Sequence, residues 1–343
     1  MISFLLMIAA AVVSLTGCGT FDIGGDDLKV SYASDTRLFF DTQVSISIYD
    51  DNAEELLQGC FNICGDMEKT LSAQKKESEL YRINHRDIQE TEISDTLSEC
   101  IKAGLFAGEI SDGEFDITIL PVSSLWDFRT GKGRVPDPSK IKAALKHVDQ
   151  KKIALSGNRL SFDDKEARID LGATAKGYIS GRLKEYLKEA GCDGAVINLG
   201  GNVSTLGSKG GEKFKVGIQK PFDDRGEILA TVSIGEGCMI SSGTYERYFE
   251  QDGKIYHHIL SAKTGYPAET GLTQVTVIGK DDTLCDTLST VFMLTGRNKA
   301  EKIIEEEGYD IQVIFVDTDN NMTLFIPGDG ERDISEGVSL SVK

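Results

Sequence analysis

The chain has 343 residues, with 37 Lys and Arg against 55 Asp and Glu, a net charge of −18 and 40% hydrophobic residues. Such an acidic balance argues against nucleic acid and anionic lipid as electrostatic partners, and any polyphosphate ligand must be met locally by a cation and a few basic side chains. The length supplies a core of ample size, so folding needs neither metal nor disulfide staples.

Positions 2–13 are almost entirely apolar, and Leu15-Thr16-Gly17-Cys18 places small residues before a cysteine. The run is too short to span a bilayer and reads as the h-region of a lipoprotein signal, although no Lys or Arg precedes it. The expected organisation is a signal peptide over 1–17, a lipid on Cys18, a flexible Gly/Asp-rich tether over 18–30 and one large domain over 31–343. The product is then exported and held as a lipoprotein on the outer face of the cytoplasmic membrane or the periplasmic side. The other six cysteines, at 60, 64, 100, 192, 238 and 285, do not form a disulfide-scaffold pattern. Cys60 and Cys64 are i and i+4 on a predicted helix and suit core packing better than a two-thiol metal site.

Alternation over 43–49 predicts a strand, and 52–71 a helix with Asn52 as cap ahead of Glu54 and Glu55. A second helix spans 94–110, capped by Ser94 or Asp95, and a short one spans 138–147 with proline near its start. Strands follow over 152–155, 159–162 and 167–171, then a helix over 173–190 that Gly191 stops. Further strands are expected over 195–199, 203–206, 214–219, 228–234, 247–250, 254–260 and 272–278. Helices over 284–294 and 298–307 precede strands over 311–316 and 322–326. Runs of adjacent strands with helices in blocks predict an α+β fold rather than an alternating doubly wound sheet.

Three blocks carry chemistry. Asp286 and Thr290 put two oxygen side chains one turn apart on a helix otherwise built of Leu284, Leu288, Val291, Phe292 and Leu294. With a backbone carbonyl they suit Mg²⁺ or Ca²⁺; the alternative is an exposed helix edge with Thr290 bonded to its own turn. In Asp170-Leu171-Gly172-Ala173-Thr174-Ala175-Lys176-Gly177-Tyr178, a glycine turn leads into a helix start that favours anions. Lys176 there opposes the helix dipole unless it meets Asp170 or a bound phosphate. His257 and His258 alternate across a strand, so one of them can face a given pocket. Gly200-Gly201-Asn202 resembles a dinucleotide turn only loosely, and a simple tight turn explains it equally well.

Together with Gly113-Glu114-Phe115-Asp116-Ile117-Thr118, Ile197-Asn198-Leu199-Gly200-Gly201-Asn202, Ser242-Gly243-Thr244-Tyr245-Glu246-Arg247, Tyr256-His257-His258-Ile259, Thr264-Gly265-Tyr266-Pro267 and Asp286-Thr287-Leu288-Ser289-Thr290, these blocks resemble the ApbE family, the FAD:protein FMN transferases, over about 39–295. The resemblance implies a mixed α+β domain with FAD in a cleft. It implies Mg²⁺, or Ca²⁺, on the Ala173 carbonyl, Asp286 and Thr290. Phe40, Glu114, Phe115, Asp116, Asp170, Lys176 and Ile259 are implied at the FAD site, and His258 beside the acceptor hydroxyl. Members usually carry Met-Gly-Thr where this chain has Phe40-Asp41-Thr42.

The implied reaction moves FMN from FAD to a Thr or Ser hydroxyl of an acceptor protein, such as an electron-transport subunit, and releases AMP. An imidazole titrating near neutrality suits the proton transfer. Two other readings stand beside it: hydrolysis of FAD to FMN and AMP by the same site, and a flavin-binding lipoprotein without turnover.

Overall fold

The structure is a computed structural model and describes residues 17–22, 29–86, 90–130, 132–224, 226–334 and 339–341. Apart from Gly17, the expected signal peptide lies outside the described residues. The first half of the chain forms β1 (Gly17–Asp22), β2 (Lys29–Phe39), β3 (Thr42–Ile48), α1 (Ala53–Leu71), α2 (Glu79–Asn84), β4 (Glu90–Glu92), α3 (Asp95–Ile110), α4 (Leu120–Ser123), α5 (Pro138–Leu145), β5 (Ile153–Ser156) and β6 (Arg159–Phe162). Next come α6 (Ala175–Glu189), β7 (Gly194–Leu199), β8 (Asn202–Gly207), β9 (Phe214–Gln219), β10 (Ile228–Ile234), β11 (Gly237–Gly243), β12 (Tyr248–Gln251) and β13 (Lys254–His257). The chain continues through β14 (Leu272–Gly279), α7 (Asp282–Thr295), α8 (Arg297–Glu307), β15 (Gln312–Asp317), β16 (Met322–Ile326), β17 (Gly330–Ile334) and β18 (Ser339–Ser341).

Ten strands make the main sheet, in the order β1-β2-β3-β7-β8-β11-β14-β15-β16-β17, and every neighbouring pair is antiparallel. A doubly wound fold would need parallel strands, so the α+β expectation holds. Val44, Ile46 and Ile48 of β3 are fully buried, while Ser45 and Ser47 hydrogen-bond Thr36 and Ser34 across the strand pair at 2.8 Å. The buried faces of α1, α3, α6, α7 and α8 join these side chains in the main core, which includes Cys60 and Cys64 as expected. The small sheet β18-β10-β9 contributes Phe214, Val216 and Val232 to a second core with Met239, Ile278 and Ile314 from the main sheet. A third cluster surrounds Trp126, whose Nε1–H donates to the Gly265 carbonyl at 3.0 Å.

Four local expectations change. Residues 19–22, expected within a flexible tether, belong to edge strand β1, where Cys18 pairs with Ala33 of β2. Residues 167–171 form no strand; Arg168 makes an isolated bridge with Ile119, which itself belongs to no strand. The strand expected over 254–260 stops at His257, which frees His258 and Ile259 to turn into the cleft described below. Strand β11 escapes prediction because Gly237, Ser241, Ser242 and Gly243 lack strand propensity; buried contacts such as Ser241 to Thr276 at 2.8 Å replace it.

Candidate active site

A cleft of about 800 Å³ opens where the β2–β3 turn, the segment 115–129, the start of α6, the β7–β8 turn, the end of β11 and residues 258–260 converge. That volume lies within the usual range for small-molecule sites. The β2–β3 turn has two residues, Phe40 and Asp41, with φ of 55° and 57°. Positive φ at both positions marks a type I′ turn, which Asp tolerates better than a bulky Phe. The Phe40 N–H is held by Glu68 Oε1 at 2.8 Å, and Asp41 pairs with Arg129 at 3.0 Å. Phe40, Phe115 and Ile259 therefore offer apolar surface to the cleft.

The site centres on the contact between α6 and α7. Thr174 occupies the cap position of α6 but makes no capping hydrogen bond. Instead the Gly177 N–H donates to Asp286 Oδ2 at 2.7 Å, so a carboxylate from α7 satisfies a helix donor that lacks an intrahelical partner. The approach demands glycine, since a Cβ on residue 177 would lie 2.5 Å from Asp286 Cβ. Asp286 Oδ1 accepts from Asn202 Nδ2 at 2.7 Å, and the Lys176 ammonium stands 3.8 Å away. Burial pushes the Asp286 carboxyl above the usual carboxylate range, opposed by Lys176, the Gly177 N–H and Asn202. Asp286 is thus not on an exposed helix edge. It lies directly behind the cleft wall, 2% exposed.

Thr290 does reach the cleft. Its hydroxyl meets Ser242 Oγ at 3.1 Å, and Ser289 rather than Thr290 bonds back, to the Asp286 carbonyl at 2.8 Å. Lys176 also reaches it, donating to the Gly172 carbonyl at 3.3 Å and pairing with Asp286 rather than Asp170. Asp170 Oδ1 accepts the Gly172 N–H at 2.8 Å and shapes the turn before α6. Asp116 lines the cleft, but its oxygens accept N–H groups of Thr118 and Gln150, both at 2.7 Å; burial pushes it up and these bonds oppose the rise. Glu114 is outside the cleft wall. Ser261 Oγ at 2.6 Å and Lys263 Nζ at 3.1 Å hold its carboxylate.

Of the two histidines, His258 faces the cleft; His257 bonds the Ala268 carbonyl at 3.1 Å and is pushed down to about 4 by burial. His258 is pushed lower, to about 3, first by burial and then by Arg247, His257 and Lys176. Against the near-neutral titration expected from the sequence, burial and the neighbouring cations favour the neutral imidazole. Its Nδ1 is buried without a hydrogen-bond partner. Sequence reasoning assigned no role to Arg129, Arg247, Ser242 or Asn202, all of which line the cleft. The block containing Ser242 and Arg247 was legible as a match, but its contact with α7 arises only in the fold.

The donor set fits a hard divalent cation. The Asp286 carboxylate, the Thr290 hydroxyl and the Ala173 carbonyl are all oxygens. Asn202 adds a buried Oδ1 that meets no donor among the described residues. No group of three or more His, Cys, Asp and Glu side chains placed to hold a metal ion occurs among the described residues.

A model of the ApbE family matches residues 40–315. The FAD:protein FMN transferase of Klebsiella pneumoniae (strain 342) is 34% identical over 277 residues, 80% of this chain and 86% of that protein. The enzyme of the same name from Treponema pallidum (strain Nichols) is 29% identical over 322 residues, 88% of this chain and 89% of that protein. Among solved structures, the ApbE protein of Thermotoga maritima aligns with a TM-score of 0.77 and 27% identity, covering 87% of this chain and 97% of that one. The apo flavinyl transferase ApbE of Pseudomonas stutzeri gives 0.75 and 27%, covering 91% and 96%. With more than half its length matched by the family model and a relative above 30% identity across most of both chains, this chain belongs to the ApbE family.

Proposed function

We propose that this chain transfers FMN from FAD to a Thr or Ser hydroxyl of an acceptor protein and releases AMP. The observation that carries the reading is that Lys176, His258 and Thr290 line one cleft, with the buried Asp286 3.8 Å from the Lys176 ammonium. The names of the relatives support it. Lys176 and the N-terminus of α6 bind phosphate charge, and Phe40, Phe115 and Ile259 pack against the flavin. Asp286, Thr290 and the Ala173 carbonyl would hold Mg²⁺, with Ca²⁺ as the alternative. When bound, that ion neutralises phosphate charge and makes AMP a better leaving group.

The acceptor oxygen forms a bond to the FMN phosphorus as the anhydride bond to AMP breaks, and the hydroxyl proton passes to His258. A neutral imidazole can accept that proton, but an imidazole held near 3 is a weak base. Bound phosphates supply negative charge against Arg247 and Lys176, which raises His258 toward a useful range. The same proposal places a lipid on Cys18 and the domain outside the cytoplasm, beside a membrane electron-transport subunit as acceptor.

The test mixes the protein, FAD, Mg²⁺ and a candidate acceptor and weighs the intact acceptor. A gain of one FMN less water, lost when the acceptor hydroxyl is removed, is expected. FMN and AMP in solution with acceptors left unmodified would instead favour FAD hydrolysis.

A further inference from the structure

Asn202 opens β8 directly after the Gly200-Gly201 turn and is 1% exposed, yet it lines the cleft. Its Nδ2 donates to Asp286 Oδ1 at 2.7 Å, while Oδ1 is buried without a partner. Turning the amide round would set its carbonyl oxygen against the ionised Asp286 carboxylate, which disfavours that orientation. A buried oxygen without a donor is uncommon in native proteins and points to a water or ion that belongs beside it.

A second pair of residues shows what a completed arrangement looks like. Ser204, on the same face of β8, donates to Asp282 Oδ1, and Asp282 lies one turn before Asp286 on α7. Two residues of strand advance about 6.6 Å and four of helix about 6.0 Å, so strand and helix stay in step and β8 grips both aspartates. Lys184 closes the lower site with an ammonium 2.5 Å from Asp282 Oδ2. At the upper site Lys176 stands at 3.8 Å, and beside it lies the Asn202 oxygen, unpartnered among the described residues.

We infer that Asn202 is a positioning residue of the cation centre: Nδ2 fixes the Asp286 carboxylate, and Oδ1 accepts a hydrogen from a water carried by the bound cation. The inference rests on the reading that Asp286 and Thr290 hold that cation. Partners that orient a ligand in this way typically govern metal affinity by 10- to 100-fold.

Mn²⁺ takes the same oxygen donors as Mg²⁺, and EPR counts its free ion directly. It is titrated into wild type, Asn202→Leu, Asn202→Ala and Asp286→Asn, each with FMN and AMP present. Both Asn202 variants should bind Mn²⁺ about 10- to 100-fold more weakly. They should keep the wild-type KM for FAD and regain turnover to within a few-fold at saturating Mg²⁺, while Asp286→Asn loses the site. If the Asn202 variants bind Mn²⁺ as wild type does and Asp286→Asn does not, Asn202 has no such role and the cation reading stands. If saturating Mg²⁺ restores nothing, Asn202 is merely structural. Equal binding by all four proteins, or none by wild type, overturns the cation reading and this inference with it.

Discussion

The Lys176 ammonium stands 3.8 Å from Asp286 Oδ1, and that carboxylate is 2% exposed. Under the proposed function one lysine would serve two anions in turn, Asp286 when the cleft is empty and the ligand phosphates when it is filled. Lys176→Ala should weaken FAD binding and also remove the nearby charge that opposes the upward shift of Asp286. A protonated Asp286 cannot hold a cation, so the KM for Mg²⁺ should rise as pH falls toward the raised Asp286 value. In Lys176→Ala that rise should begin at higher pH. Identical pH dependence of the Mg²⁺ KM in the two proteins would show that the pair has no functional coupling.

Asp286→Ala should abolish turnover and cost about 1–3 kcal/mol of stability, since Gly177 N–H and Asn202 Nδ2 lose their buried acceptor. Asp286→Asn keeps the volume and one acceptor oxygen, so it should be equally inactive but closer to wild type in denaturant midpoint. Thr290→Val should be milder in turnover than either, because water can replace a neutral hydroxyl. A fully active Asp286→Asn would remove the metal assignment.

His258 gives a pH test with a definite sign. Since it is held near 3 in the free protein, kcat/KM for FAD should show no acidic limb near 6.5 from this residue. His258→Ala should leave FAD affinity within a few-fold and slow transfer by about 10²- to 10⁴-fold. Loss of FAD binding in that variant would make the histidine a ligand contact instead.

How much of this was legible depends on sequence distance. Asp286 and Thr290 are four residues apart, so helix period alone paired them, and the glycine turn before Lys176 announced a helix start. The α+β class followed from strand order in the same way. Asn202, Ser242 and Arg247 were opaque as site residues because their roles come from contacts between distant segments; Asn202 meets Asp286 across 84 positions. The depressed His258 was equally hidden, since it reflects burial and three neighbouring groups rather than residue type. Glu114 went the other way: implied at the FAD site by the resemblance, it is held by Ser261 and Lys263.

The proposed lipid anchor makes its own prediction. Cys18→Ser should move the protein from the membrane fraction to the soluble fraction of producing cells with FAD turnover intact, because Cys18 lies on β1, at the end of the main sheet's strand order. Retention of that variant in carbonate-washed membranes would refute the anchor.

The arrangement of cation, phosphate and base is tested most directly by a crystal structure of His258→Ala, slowed in transfer, with FAD and Mg²⁺. The expected result is Mg²⁺ about 2.0–2.1 Å from oxygens of Asp286, Thr290 and the Ala173 carbonyl, with the FAD phosphates beside Lys176. A pyrophosphate seated away from Lys176, or a cation bound by none of these three oxygens, would contradict it.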